Sequence, residues 1–185
     1  HAHTSALFQK KCPLCETEFE TRMDTSGSWS KQRLDLKPLS HTTAAPWSLA
    51  VCPNCHFVLY QDKFSKEEVE NLKDFVESNG YKKLIQMEHS SYRLLAAIMN
   101  SQDDSAFNIA HVLLKASWQV EQQNPKRYRE YLNGALHHLQ KALEDETFRA
   151  SDEGKDSFLL EGEFLRLLSR FEKAKVHFEN LRKNE

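Results

Sequence analysis

The spacing of apolar residues changes character along the chain. In residues 18–23 apolar and polar side chains roughly alternate, which is the two-residue period of a β-strand. Short apolar segments at residues 47–51 and 57–60 are two further strand candidates. Residues 24–46 are rich in Ser, Thr and Lys and contain few large apolar residues, which predicts a long loop. The N-terminal third is therefore predicted to consist of short strands and loops.

From about residue 63 onward, apolar residues recur at the three- and four-residue spacing of amphipathic helices. Ser65 and Glu68 form a predicted capping box, and Gly80 is the predicted end of that helix. Further helices are predicted over 81–85, over 90–100, from Asp103 or Asp104 to Trp118, from Pro125 to about Glu146, over 152–168 and over 171–183. The fold class is therefore α+β and mostly α, with a small module at residues 1–62 and a helical domain at residues 63–185.

Two of the predicted helices share a spacing of small and large residues. In each, an alanine is followed by two further apolar residues at steps of four and three: Ala135, Leu139 and Ala142 in one, and Ala174, Phe178 and Leu181 in the other. Upstream of the second, Phe158, Gly162 and Leu165 have the large–small–large order of a tetratricopeptide first helix. That repeat has a period of about 34 residues, and a longer loop at residues 150–154 accommodates the extra length. The helical domain is thus predicted to be a tetratricopeptide-like bundle.

Composition excludes several classes of protein. The chain has 185 residues, 39% of them hydrophobic, which is enough for a small module joined to a larger one. Its formal net charge of -2 provides no general attraction to nucleic acids or anionic membranes. No apolar run approaches the roughly 18 residues needed to span a bilayer. The first residues, His1-Ala2-His3, lack a Met and resemble a tag remnant, so residues 1–6 are expected to be disordered.

All four cysteines fall in two matching Cys-Pro-x-Cys turns, the knuckles, at Cys12 and Cys15 and at Cys52 and Cys55. Such a turn places two sulfurs on one side of a tight loop. Two turns supply the tetrahedral set of thiolates that structural zinc prefers, so we predict one Zn²⁺ ion bound by these four residues. Two disulfides are the alternative, but they are typical of loop-rich secreted chains, whereas a long helical remainder favours the reducing cytoplasm.

Four sulfurs favour a structural over a catalytic role, because a closed site leaves no open position for water or substrate. Iron in a rubredoxin-like site is a further alternative for the same ligands. His56, next to Cys55, and His41, in the long loop, are expected to lie outside the ligand set. Glu16 and His56 follow the knuckles where glycine is common, so we expect local strain or altered knuckle geometry at both.

One part of the long loop carries the residues that a nucleic-acid interface would need. Lys31, Arg33 and Lys37 lie there, with Trp29 nearby. Residues 1–60, however, contain six basic and five acidic residues, and four thiolates with one Zn²⁺ add about -2. The loop is therefore interpreted as solvated. The sequence contains no glycine-rich phosphate loop, nucleophile elbow or His-Glu-x-x-His motif, and no enzymatic activity is predicted.

The knuckles, with Phe19 four residues beyond the first and Phe57 shortly after the second, resemble those of a bacterial family of unknown function. Its members join an N-terminal split zinc ribbon to a tetratricopeptide-like helical region. The resemblance covers nearly the whole chain and implies a bacterial, cytoplasmic protein. It implies no mechanism.

The leading interpretation is a non-enzymatic protein–protein interaction module. Zinc would fix the ribbon, and the helical domain would offer a groove to a peptide or partner helix. Asn108, Lys115 and Gln119, opposite the apolar stripe of their helix, are the candidate groove residues. The alternatives are a nucleic-acid-associated zinc ribbon and a redox or zinc sensor whose thiolates release the metal on oxidation. The sequence does not predict the oligomeric state.

Overall fold

The computed structural model describes residues 4–39, 45–87 and 90–184. It divides into two compact units. The first comprises His1–Lys31 and Pro38–Asp104, and the second comprises Gln32–Lys37 and Ser105–Glu185. This division differs from the predicted one at residues 62 and 63, because the first three helices are grouped with the strands. The predicted boundary between a zinc-ribbon module and a helical domain stays a prediction.

The strands of the first unit form two antiparallel pairs. β1, Thr4–Lys11, pairs with β2, Glu18–Ser26, and this register places Lys11 opposite Glu18. β3, Ala50–Val51, pairs with β4, Val58–Leu59. Each pair encloses one knuckle, so the two strand pairs present the two cysteine turns.

The strand predictions are confirmed in part. β2 covers the alternating residues 18–23 and continues to Ser26, so the predicted loop begins later than residue 24. The strand predicted at residues 47–51 is shorter, since only Ala50–Val51 pairs with a neighbour. Residues 4–6 were expected to be disordered, but they pair with β2 at its far end. Residues 1–3 of the predicted tag remnant lie outside the described residues.

Three helices complete the first unit: α1, Lys66–Val76; α2, Asn79–Met87; and α3, Ser91–Ser101. Ser65 and Glu68 exchange side-chain and backbone hydrogen bonds, which confirms the predicted capping box. The prediction that Gly80 ends α1 is wrong. The helix ends at Val76, and the side chain of Ser78 accepts a hydrogen bond from the Tyr81 N–H, so a new helix starts there with Gly80 inside it.

The core of the first unit lies next to the second knuckle. Phe57 is fully buried, and its ring packs edge-on against Phe64 at 5.4 Å between centroids. Leu72 from α1 and Ile98 from α3 are also fully buried. Tyr92 of α3 donates a hydrogen bond to the backbone carbonyl of Trp47, at 2.6 Å. The Tyr92 hydrogen bond ties α3 to the segment before β3, and α3 also packs against β4.

The second unit contains five helices in its described residues: α4, Ala106–Val120; α5, Pro125–Ala142; α6, Glu146–Ala150; α7, Asp152–Leu167; and α8, Phe171–Lys183. The mostly helical character predicted from the sequence is confirmed. None of the described helices combines the length and the apolar composition needed to cross a membrane.

The helix ends in this unit follow local capping. Asn124 caps α5 and Pro125 takes the first helical position, as predicted. The prediction that Asp103 or Asp104 caps α4 is wrong, because the side chain of Ser105 accepts the hydrogen bond from the Asn108 N–H. The predicted extension of the Pro125 helix to Glu146 is also wrong. That helix ends at Ala142, and Asp145 caps the short α6 instead.

Helix α5 packs against both α4 and α7, and α8 packs against α7. Ala135 and Leu139 of α5 are fully buried, and Ala174 of α8 is nearly so. A Cβ atom added at Gly162 would lie 2.5 Å from Cζ of Phe178, so α7 and α8 approach closely only because residue 162 has no side chain. The small residues singled out in the sequence thus lie at helix contacts. The tetratricopeptide arrangement itself stays a prediction.

Candidate metal centre and cavity

The two knuckles have the same backbone hydrogen bonds. In the first, the Cys12 N–H donates to the Thr17 carbonyl and the Glu16 N–H donates to the Cys12 carbonyl, both at 2.9 Å. In the second, the Cys52 N–H donates to the Phe57 carbonyl at 2.9 Å and the His56 N–H donates to the Cys52 carbonyl at 3.0 Å. This repeated pattern closes each turn and directs both of its cysteines to one side.

The residue after each knuckle has a left-handed backbone. Glu16 has a φ of 60° and His56 has a φ of 61°. This conformation is uncommon for residues with a side chain and favours glycine. The expectation of local strain at these two positions is therefore confirmed. The strain belongs to the turn geometry, since it recurs at the same position in both knuckles.

The four sulfur atoms lie within 4.8 Å of one another. Sγ of Cys12 is 3.6 Å from Sγ of Cys55, and Sγ of Cys15 is 3.6 Å from Sγ of Cys52. A disulfide requires about 2.05 Å, so neither pair is bonded. Tetrahedral ligands about 2.3 Å from a zinc ion lie about 3.8 Å from each other. The donor set and its spacing therefore fit a single tetrahedral metal ion.

Comparison with known families identifies the chain. The family described as "Uncharacterized protein conserved in bacteria (DUF2225)" matches residues 7–185. The chain belongs to the DUF2225 family. The match includes both knuckles and all eight helices of the described residues. No curated protein and no protein of solved structure matches the chain at a significant level.

The DUF2225 cysteines differ in their surroundings. Burial raises the pKa of Cys12 and of Cys55. Burial acts in the same direction on Cys15, but hydrogen bonds between its sulfur and the side chains of Thr17 and Asn54 outweigh it and lower the pKa of this thiol to about 6. Cys12 and Cys52 are fully buried, whereas Cys15 and Cys55 are half-buried. Each knuckle thus contributes one enclosed and one partly accessible sulfur.

A tyrosine that the sequence analysis missed supports the second knuckle. The Tyr81 hydroxyl donates a hydrogen bond to the backbone carbonyl of His56, and its ring packs 5.3 Å from that of Phe75. Burial raises the pKa of Tyr81, and an ionised Cys55 would raise it further, so the hydroxyl stays protonated as a donor. Its only sequence signal is an aromatic residue near the start of a short helix, which does not indicate a partner in the knuckle.

Two histidines, His56 and His41, were considered as alternative metal ligands. Among the described residues, the group of metal-ligating side chains around the knuckles consists of the four cysteines and contains no histidine. His56 is therefore placed outside the ligand group, as expected. His41 lies outside the described residues.

Two of the basic residues of the loop, Arg33 and Lys37, are paired within the protein. Gln32–Lys37, hereafter the strap, belongs to the second unit. Arg33 binds both carboxylate oxygens of Asp35, which is 1% exposed, and also donates to Glu121 at 2.6 Å. Lys37 donates to the other oxygen of Glu121 at 2.7 Å. Two of the three cations proposed for nucleic-acid binding therefore form ion pairs within the protein, so the interpretation as a solvated loop is wrong for Arg33 and Lys37, whereas Lys31 is exposed.

The second unit also contains a cavity of about 600 Å³. Its walls come from α4, α7, α8 and the strap. The candidate groove residues of α4 lie elsewhere: Asn108 and Lys115 are exposed and Gln119 is half-buried, but the cavity is lined by Phe107 and His111 of that helix. Since these two residues are four apart, they share one face of α4.

Proposed function

We propose that this protein is a non-enzymatic interaction protein in which Zn²⁺, bound by Cys12, Cys15, Cys52 and Cys55, is structural and the helical unit holds a protein partner. The proposal rests chiefly on four sulfurs gathered within 4.8 Å. When bound, zinc neutralises part of the thiolate charge and fixes both knuckles. Because four protein ligands complete its preferred tetrahedron, the site provides no position at which a substrate would bind the metal.

The assignment to zinc rests on ligand chemistry. Four thiolates suit both zinc and iron. The two knuckles resemble the matched turns of zinc ribbons, and the strands around the second knuckle, with two residues each, are too short to maintain this geometry alone. Cysteines that bind a metal ion must stay unoxidised, which favours the reducing cytoplasm.

The tetratricopeptide-like arrangement is supported by the helix contacts of the second unit. Gly162 lies against Phe178, and the buried alanines Ala135 and Ala174 stand at equivalent places in α5 and α8. In such repeats, small residues allow the two helices of a pair to approach closely, and the first helices together line a binding groove. In this arrangement α4 and α7 are the first helices, and both line the cavity.

The function is tested by metal analysis of the purified protein followed by affinity capture. We expect one zinc per chain, and a discrete bacterial protein that is captured by the zinc-loaded protein and survives nuclease treatment. Iron in place of zinc would contradict the metal assignment. Capture that disappears on nuclease treatment would support the nucleic-acid alternative, and release of zinc at low oxidant dose would support the sensor alternative.

A further inference from the structure

We propose that the cavity of the second unit binds a segment of a partner protein in which a lysine or arginine lies beside a large apolar residue. This inference rests on the proposed function, because it specifies the chemistry of the partner that the helical unit holds. It follows from three properties of the cavity: its apolar rim, its unbalanced negative charge and the paired state of its cations.

Exposed leucines surround the cavity. Leu34 is 76% exposed, Leu159 is 47% exposed and Leu36 is 36% exposed. Phe107 and Phe178 add aromatic surface to the walls. A cavity of this volume is typical of sites that bind a ligand, and apolar surface collected around one opening marks a site of interaction. The occupant therefore contributes at least one large apolar side chain.

The cations in the cavity wall are already balanced. The charge of Arg33 faces Asp35 and Glu121. Burial and the neighbouring Lys115 lower the pKa of His111, so its imidazole stays neutral at neutral pH. Among the described residues that line it, the cavity therefore presents no unpaired positive charge to an acidic peptide, a phosphate or a nucleic acid.

Two carboxylates in the wall have no such partner. Glu163 pairs with Arg166, but among the described residues no cation forms an ion pair with Glu153 or Asp156. These two residues are exposed and three apart on α7, so they point to the same side of the helix. Glu153 lies in the first turn, where the helix dipole favours a negative charge, but Asp156 lies beyond that turn. The helix dipole therefore does not account for the second carboxylate.

Lysine and arginine combine the two properties that this cavity selects. Their aliphatic stems pack on leucine and phenylalanine side chains while the charged group stays at the solvent boundary. A cation placed near Glu153 and Asp156 would meet both carboxylates at once. A neighbouring apolar residue of the same segment would then cover the exposed leucines.

The test uses the full-length, zinc-loaded protein and a short fluorescein-labelled peptide in which leucine and arginine alternate, with binding measured by fluorescence anisotropy. Two matched peptides replace either arginine by glutamate or leucine by serine. We expect each replacement to weaken binding at least about tenfold. Equal binding of the serine peptide would mean that the cation alone suffices, and tighter binding of the glutamate peptide would mean that the charge assignment is reversed. Either result would overturn the inference.

A pair of double variants locates the site. Glu153→Gln with Asp156→Asn should weaken binding of the leucine–arginine peptide about five- to tenfold. Glu172→Gln with Glu179→Gln removes the same charge from exposed positions of α8 outside the cavity and should leave binding unchanged. Equal weakening by both double variants would indicate a general charge effect and contradict the assigned site.

The outcome also separates this inference from the proposed function. A native partner that is captured equally well by Glu153→Gln with Asp156→Asn and by Leu34→Ser would leave the function standing and overturn the cavity assignment. Absence of any captured partner, together with absence of binding by all three peptides, would overturn both.

Discussion

The knuckles and the helical unit differ in what holds them together. The knuckles stand on strand pairs of which one has only two residues per strand, and their geometry converges on four sulfurs. In the helical unit, α4, α5, α7 and α8 each have at least 13 residues, and fully buried side chains such as Leu132 and Leu139 join them. We therefore expect the knuckles to depend on a bound metal ion, whereas the helical unit depends on apolar surface that the chain itself carries.

The largest effect is expected from removing one sulfur from each knuckle. Cys12→Ser with Cys55→Ser should abolish stoichiometric zinc binding, which is worth about 10–16 kcal/mol in small zinc domains. Amide protection should be lost in the knuckles and in β3 and β4 but retained in α4–α8. Hydrogen exchange with mass spectrometry measures the amide protection, and metal analysis measures the zinc content. The control is Lys11→Ser, an exposed change beside the first knuckle, which should alter neither quantity. Loss of protection throughout α4–α8 in the double cysteine variant would contradict the difference between the two regions.

Removing a buried side chain from the helical core should have the opposite effect: it should destabilise the helical unit and leave zinc binding unchanged. Leu139→Ala removes a fully buried side chain and should destabilise the helical unit by about 2–5 kcal/mol. Zinc content should stay at one ion per chain. Chemical denaturation followed by hydrogen exchange measures the loss. Val176→Ala, at a position 53% exposed, should be nearly neutral, and loss of zinc in Leu139→Ala would show that the two regions do not respond separately.

A single methyl group tests the approach of α7 to α8. Gly162→Ala should destabilise these helices by about 1–3 kcal/mol, because the new Cβ would lie 2.5 Å from the Phe178 ring. The matched change is Gly80→Ala in α2, where the nearest atom is 4.0 Å away. It should stabilise its helix by about 0.5–1 kcal/mol, because alanine loses less backbone entropy than glycine. Exchange protection in α7 and in α2 reports the two effects, which must have opposite signs.

The smallest effect concerns the strap and depends on pH. Burial acts to raise the pKa of Glu121, but hydrogen bonds from Lys37 and Arg33 outweigh it and lower the pKa below its ordinary value of 4.5. The ionised carboxylate therefore stabilises the folded state above that value, and this contribution is lost as the pH falls through the lowered pKa.

Glu121→Gln should therefore reduce stability by about 1 kcal/mol at neutral pH, and the difference from the unchanged protein should shrink in acid. Thermal unfolding followed by circular dichroism across this pH range measures it. Glu144→Gln, an exposed change in the same unit, should show little difference at any pH. A constant deficit in Glu121→Gln down to acid pH would contradict the role of the carboxylate charge.

Sequence reasoning succeeded where the signal lies within a few residues. The knuckle spacing indicated which sulfurs come together, and the capping box at Ser65 and the Asn124-Pro125 start are likewise local patterns. It failed where two local signals compete. Gly80 is typical of a helix end, but the Ser78 side chain caps a new helix, and Gly80 lies inside that helix. Likewise Ser105, and not the aspartates before it, meets the free N–H groups of α4.

The remaining features depend on residues that are distant in sequence. Arg33 and Glu121 are 88 positions apart, so no spacing rule connects them. The same holds for the Tyr81 hydroxyl and the His56 carbonyl, 25 positions apart. The sequence therefore showed that the loop is basic, but it did not show which acidic residues pair with these cations. Arg33 and Lys37, which resembled a basic surface, form ion pairs within the protein.

The strap has a consequence for dissecting the protein. Because it leaves one unit and the chain then returns, the backbone passes between the units at three places: after Lys31, after Lys37 and after Asp104. A single cut at the last of these would not produce two free halves. A fragment starting at Ser105 would lack the partners of Glu121 and one wall of the cavity. Neither unit therefore corresponds to one continuous stretch of the chain, and a fragment meant to fold as the helical unit must also carry residues 32–37.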